Sequence, residues 1–347
     1  MSKKIKLAFI GSGGIARGAH LPAIQHIKDH VEVVAVADVN EQTAKEVAEQ
    51  FEVPKYYTDH KSMLSEVDLD AVDICTPNLY HKQPAIDALN AGLHVLVEKP
   101  IAMNVAEAEE MCAAARKNNK KLMVAQCQRF RADVQLLKKM IDAGELGDIY
   151  YARVWALRRR GVPAWGVFIE KDKQGGGPMI DIGVHMLDMA LYLMGHPKPV
   201  KVSGQCYTKF GRREGVYNPW GVWDPKKYTV EDYASGFVRF DNGATLSIEA
   251  SFAANIKKDE MNVTLLGTEG GSDIDPFKVY KERHNRIIEE TPTMLPGVNT
   301  YQEEILEFAN AIREDRDPLV TGEQALMTQK ILDGVYQSSD EGREIDV

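Results

Sequence analysis

The sequence predicts an α/β chain in two domains. A doubly wound parallel sheet is expected over residues 1–127. An α+β domain with a large, mostly antiparallel, open-faced sheet is expected over 128–347. Three observations carry this reading. The 347 residues exceed what one ordinary core accommodates. Up to residue 127, apolar β-rich runs alternate with helical patterns, which implies parallel strands joined by right-handed crossovers. Beyond 128 the strand-like runs lengthen, and Asp241-Asn242-Gly243 is a strong hairpin turn.

In chain order, residues 4–10 (KIKLAFI) read as the first strand, and GSGGIARGAHLPAI as a turn and a helix. Strand 31–38 and helix 41–51 follow. Then come strand AVDICTP, helix HKQPAIDALNAG, strand HVLVEKP, helix VAEAEEMCAAARKN and strand KLMVAQC. These strands are apolar nearly throughout, as strands covered on both faces are. ADVQLLKKMIDAG is a linking helix ending at Gly144. DIYYARVWALRR, PVKVSGQCYTKF, SGFVRFDNGATLSIEASF and MNVTLLGTEGG supply the second domain's strands, and helices near 301–314 and 322–338 close the chain.

Composition narrows the class. Hydrophobic residues make up 44% and charged residues 27%, as in globular proteins. A net charge of -9 argues against a nucleic-acid partner. Cys75, Cys112, Cys127 and Cys206 show no C-x-x-C spacing, so neither a metal site nor a redox pair is expected. The apolar run in MSKKIKLAFIG is too short for a signal peptide, and no stretch approaches a membrane span, so a cytoplasmic location is expected.

IGSGGIA closes the first strand and opens the first helix. Gly11, Gly13 and Ala16 match G-x-G-x-x-A. Gly11 permits the tight turn, Gly13 lets backbone approach a pyrophosphate, and Ala16 keeps helix and sheet close. The turn Gly11, Ser12, Gly13, Gly14, Ile15 would cradle the phosphates on the helix start. Asp38, ending the second strand, suits the two adenosine-ribose hydroxyls and would repel a 2'-phosphate, which favours NAD over NADP. Arg17 reads as a helix-surface arginine. The first domain is therefore expected to be a Rossmann domain that binds NAD.

CTPNLYH (75–81), VEKP (97–100), IDAGELGDIY and GGGPMIDIGVHMLD occur in an order that resembles the glucose-fructose oxidoreductase, inositol dehydrogenase and MocA family. The resemblance covers nearly the whole chain. It implies an NAD-dependent oxidoreductase acting on a secondary hydroxyl of a sugar, sugar derivative or inositol. Carried over by residue, it places Thr76, Asn78 and His81 along the nicotinamide half of the cofactor, with Gln126 a further polar contact there. Glu98 would contact the nicotinamide ribose region. Lys99 would be the catalytic lysine before a cis bond to Pro100, and Asp181 and His185 the catalytic pair. The resemblance also implies that the second domain's open sheet face covers substrate or another subunit, giving a homodimer or homotetramer.

The residues of PMIDIGVHMLDMALYLMG support the same chemistry. Pro178 suits the start of a helix, and Gly195 with Pro197 its end. Asp181, His185, Asp188 and Tyr192 then form one stripe on an otherwise apolar helix. A satisfied polar network is the structural alternative. A histidine suits removal of a hydroxyl proton, and an ammonium favours alkoxide character in the same oxygen. Which of Lys99 and His185 takes the proton stays open. RRRGVPAWG (158–166) and YNPWGVWDP (217–225) suit either a sugar ring or a subunit contact, with Arg158 and Trp165 the substrate candidates. Two other functions share these features. One is a glycosidase that uses bound NAD transiently to permit elimination. The other is a non-catalytic nucleotide-binding regulator, against which the joint presence of Lys99, Asp181 and His185 argues.

Overall fold

The computed structural model describes residues 3–347. They divide into two compact units, one of residues 3–127 with 299–326, the other of 128–298 with 327–347.

In the first unit, β1 (Ile5–Ile10) leads to the glycine-rich turn, a π-helical turn at Ala16–His20 and α1 (Leu21–Ile24). β2 (Val31–Ala37), α2 (Glu41–Phe51), β3 (Tyr56–Tyr57), α3 (His60–Glu66), β4 (Ala71–Ile74), α4 (Lys82–Asn90), β5 (His94–Glu98), α5 (Val105–Lys117) and β6 (Leu122–Ala125) continue the alternation. The sheet order is β3-β2-β1-β4-β5-β6, all parallel. This is the doubly wound Rossmann order, with its switch point between β1 and β4, where such sheets bind ligands. β4 and β6 are buried at every residue, which explains their unbroken apolar runs. Side chains cap α2, α3 and α5: Asn40, Asp59 and Asn104 accept from the N–H groups of Thr43, Ser62 and Glu107.

The second unit begins with α6 (Ala132–Asp142) and β7 (Ile149–Leu157). α7 (Lys171–Gln174), a π turn at Met179–Gly183 and α8 (Val184–Leu193) follow. Next come β8 (Pro199–Tyr207), β9 (Tyr233–Phe240), β10 (Thr245–Ser251), β11 (Glu260–Gly267), β12 (Gly271–Ile274), β13 (Phe277–Arg283) and β14 (Arg286–Glu290). α9 (Thr300–Arg313), α10 (Gly322–Glu341) and β15 (Ile345–Asp346) end the chain. The second sheet runs β14-β13-β12-β11-β7-β10-β9-β8-β15, antiparallel except for β10 beside β7. Ala152, Val154 and Ala156 of β7 and Leu246, Ile248 and Ala250 of β10 are buried toward one face, against which α8 packs. Tyr151, Arg153, Trp155, Ser247 and Glu249 alternate onto the other, more polar face.

Two features depart from the sequence reading. The units divide at 127/128, and residues 299–326, read from the sequence as part of the second domain, fall in the first unit. The cause is non-local: Tyr301 stacks 5.6 Å from His20, and the Val124 N–H bonds Val320 O at 3.3 Å beside the β6 edge. The β13–β14 hairpin also goes unannounced. Its turn is His284-Asn285, both at positive φ (53° and 58°). All but one residue of β14 is exposed, so no apolar alternation marks it.

Candidate active site

In the first unit the glycine turn behaves as its spacing requires. Gly11 has φ +90°, and a Cβ there would meet the Cys75 carbonyl and Thr76 nitrogen at 2.8 Å. A Cβ at Gly13 or Gly14 would meet no atom within 4 Å, so the turn faces open space. The Asp38 carboxylate accepts from the Ser12 N–H at 2.8 Å and the Asn40 N–H at 2.9 Å, which fixes it at the turn. Gly11, Gly13, Asp38, Thr76, Pro77, Tyr80 and neighbours line a cleft of about 660 Å³.

These residues fit a dinucleotide. Ser12 Oγ is buried and has no hydrogen-bond partner among the described residues, beside the glycines that open onto space. Gln126 Oε1, past the end of β6, is likewise buried and unpartnered. Both are polar groups suited to phosphate or amide partners supplied by a ligand. Ile15 opens the helix behind the turn. Arg17 lies away from this chemistry, on Glu46 at 3.4 Å and Gln50 at 3.0 Å, as a helix-surface arginine.

The remaining first-unit candidates serve the strand ends. Asn78 is buried in the short turn after β4. The His81 ring is buried, its Nδ1 2.8 Å from Pro100 O and its Nε2 2.9 Å from Thr76 O, so it ties two strand-end loops together. Burial lowers its pKa. Lys99 follows β5 and precedes a cis bond to Pro100. Glu98 is buried; Oε2 accepts from the Lys99 N–H at 3.0 Å, and Oε1 lies 3.0 Å from His20 Nε2.

His20 was not among the sequence candidates. The π turn buries it completely, with Nδ1 2.8 Å from Asp73 Oδ2. Burial lowers its pKa, but the neighbouring Asp73 and Cys75 together outweigh this and raise it well above 6.5. His20 is thus held between Asp73 and Glu98. The four cysteines are thiols, and burial pushes those of Cys112, Cys127 and Cys206 up to about 12.

In the second unit the helix carrying Asp181 and His185 starts at Pro178, as its sequence suggests, but with a π turn. π turns occur preferentially at functional sites. The first N–H groups of this helix need acceptors from outside it. Glu231 supplies them: its carboxylate accepts from the Gly177 N–H at 2.9 Å, the Met179 N–H at 3.2 Å and the Tyr336 hydroxyl at 2.8 Å. Glu231 is absent from the sequence reading; the only signal was an acidic pair, Glu231-Asp232, entering an apolar strand. The predicted stripe divides. Asp188 is gripped by Arg129, Nε to Oδ2 at 2.7 Å and Nη2 to Oδ1 at 2.8 Å, wholly buried. Asp181 lies 3.7 Å from Arg158. His185 is half-buried one turn further on. Arg158 also stacks on Trp220, 4.6 Å from its ring centroid, and Trp220 meets Trp165 at 5.7 Å.

Comparison with known proteins identifies the family. Residues 5–126 match the family model described as an oxidoreductase family with an NAD-binding Rossmann fold, and residues 138–347 match its C-terminal alpha/beta domain. The chain is 35% identical over 347 residues to D-glucoside 3-dehydrogenase of Escherichia coli K12, covering 100% of this chain and 98% of that one. It is 26% identical over 339 residues to the scyllo-inositol 2-dehydrogenase (NAD(+)) of Bacillus subtilis, covering 95% and 93%. A levoglucosan dehydrogenase solved with NADH and levoglucosan superposes with a TM-score of 0.86 at 26% identity, over 99% and 100% of the two chains. No helix among the described residues is long and apolar enough to cross a membrane.

Proposed function

From the premise that this chain belongs to the Gfo/Idh/MocA family of NAD-binding oxidoreductases, we propose that it oxidises a secondary hydroxyl of a sugar, sugar derivative or inositol, with NAD preferred over NADP. The observation that carries the reading is the Asp181–Arg158 pair at the opening turn of an otherwise apolar helix, with His185 one turn on. The glucoside and inositol dehydrogenases among the relatives support it.

Oxidation of an alcohol needs an acceptor for the hydroxyl proton and one for the carbon-bound hydride. The nicotinamide of bound NAD supplies hydride acceptance. His185 and Lys99 share the proton's removal: the imidazole accepts it, and the ammonium donates a hydrogen bond that favours alkoxide character. Asp181 holds the substrate hydroxyl, and Arg158 and Trp165 contact the substrate. Glu98, Asn78 and Thr76 serve the cofactor's nicotinamide half, with His81 acting through the loops it ties. NAD preference is assigned to Asp38, whose carboxylate would repel a 2'-phosphate. The open face of the second sheet is assigned to a homodimer or homotetramer contact. A monomer mass by light scattering at working concentration would refute it.

A screen of sugars, cyclitols and glycosides with NAD and with NADP, read for reduced cofactor and for free aglycone, tests the reading. Reduced cofactor from at least one polyol or sugar, faster with NAD, is expected. Aglycone release with no net reduced cofactor would instead establish a glycosidase.

A further inference from the structure

The loops at 158–168 and 217–223 form a continuous track on the second unit. It begins at Asp181, 3.7 Å from Arg158 Nη1. Arg158 carries five N–H donors, of which one reaches Gly161 O at 3.3 Å. The guanidinium lies 4.6 Å from the Trp220 ring centroid and 5.6 Å from that of Phe252. Trp220 meets Trp165 at 5.7 Å, and Trp165 meets Phe168 edge-on at 6.3 Å. The track thus passes from hydrogen-bonding groups to an aromatic shelf.

The shelf is held open by its surroundings. Asn218 clasps the loops, accepting from the Val162 N–H at 3.1 Å and donating to Val162 O at 2.9 Å and Gly221 O at 3.0 Å. Ser251 Oγ donates to Arg158 O at 2.9 Å, and the Gly161 N–H bonds Phe252 O at 2.9 Å. Yet Trp165 remains 55% exposed and Trp220 40%. Indoles bury large areas when a core can take them. Two left half-open on well-anchored loops, next to a desolvated arginine, are built to cover something flat.

Resting on the sugar-dehydrogenase reading above, we propose that this shelf is an aglycone subsite. The ligand is then a glycoside whose anomeric oxygen carries a flat apolar group, not a free monosaccharide. The sugar hydroxyls meet Asp181 and Arg158, and the aglycone stacks on Trp220 and Trp165.

Phenyl and methyl glucosides, each in both anomeric forms, test this. Binding is followed by tryptophan emission and turnover by reduced cofactor. In one anomeric series the phenyl glucoside should exceed the methyl glucoside at least about tenfold in kcat/KM, about 1.4 kcal/mol. Trp165→Ala should bring that ratio close to one, while Trp165→Phe, which retains a flat ring, keeps most of it. A wild-type ratio near one in both series, or one that Trp165→Ala does not move, overturns the subsite. A Trp165→Ala protein that loses mass in light scattering with its ratio intact also overturns it, marking a subunit contact. Should neither these glucosides nor any compound of the wider sugar and cyclitol screen reduce cofactor while the phenyl compound still quenches emission, the dehydrogenase reading fails and the subsite stands. Absence of that quench refutes the subsite.

Discussion

Asp181 and Asp188 stand on one helix, in surroundings that differ in kind. Asp188 has both oxygens matched by Arg129 at 2.7 and 2.8 Å, and Tyr192 covers the guanidinium at 5.1 Å. Asp181 faces Arg158 at 3.7 Å, beyond hydrogen-bond length, with that arginine stacked on a half-open indole. A bidentate pair sealed from water is complete in itself. A long pair beside an exposed aromatic leaves guanidinium donors for another acceptor. One stripe therefore holds a structural network at its far end and a candidate site at its near end.

The sharpest break between the halves comes from His185→Ala and Lys99→Ala. Each should cut turnover about 10²–10⁴-fold while melting temperature and NAD binding hold. The double variant should be less than multiplicatively worse. Near-normal turnover in folded His185→Ala would return the near half to structure. At the far end the expectation reverses. Arg129→Met leaves Asp188 as a buried, uncompensated charge and should cost about 3–5 kcal/mol in denaturant unfolding. Arg129→Met with Asp188→Leu should recover much of that, and a stable single variant would end the contrast.

Glu231→Gln sharpens the boundary from the helix start. Replacing a buried carboxylate that accepts two N–H groups should cost about 1–3 kcal/mol of stability. Because the amide acts on the turn bearing Asp181, KM should rise as well, and an unchanged KM would mark Glu231 as purely structural.

The smallest effect concerns pH. The clamped His20 has its folded pKa raised above its unfolded value near 6.5. The stability it contributes is full below about pH 6.5 and is lost as pH rises through the raised value. Wild type should therefore lose part of its advantage over His20→Gln as pH rises above about 6.5. An advantage that grows over that range would show His20 to be neutral in the fold.

Much of this was legible in the residues. Alternating apolar runs placed β1, β2, β4, β5 and β6, and the spacing of Gly11, Gly13 and Ala16 placed the turn, because these signals depend on neighbours along the chain. Asp38 at the end of β2 was legible for the same reason. The polar edge hairpin at β13–β14 was not, since neither of its faces is uniformly apolar.

The sequence by itself determined the fold class, the glycine turn and a helix interrupted by an acid and a histidine. Those follow from local spacing and from the cost of burying polar groups. Tertiary structure alone decided the partners: Arg129 for Asp188, Arg158 for Asp181, Glu231 for the helix start, Asp73 and Glu98 for His20, and the return of 299–326 to the first unit. Each joins residues far apart in the chain. A buried charge demands some partner, but only the folded path of the backbone selects which one, and that selection separates the Asp188 end of the helix from the Asp181 end.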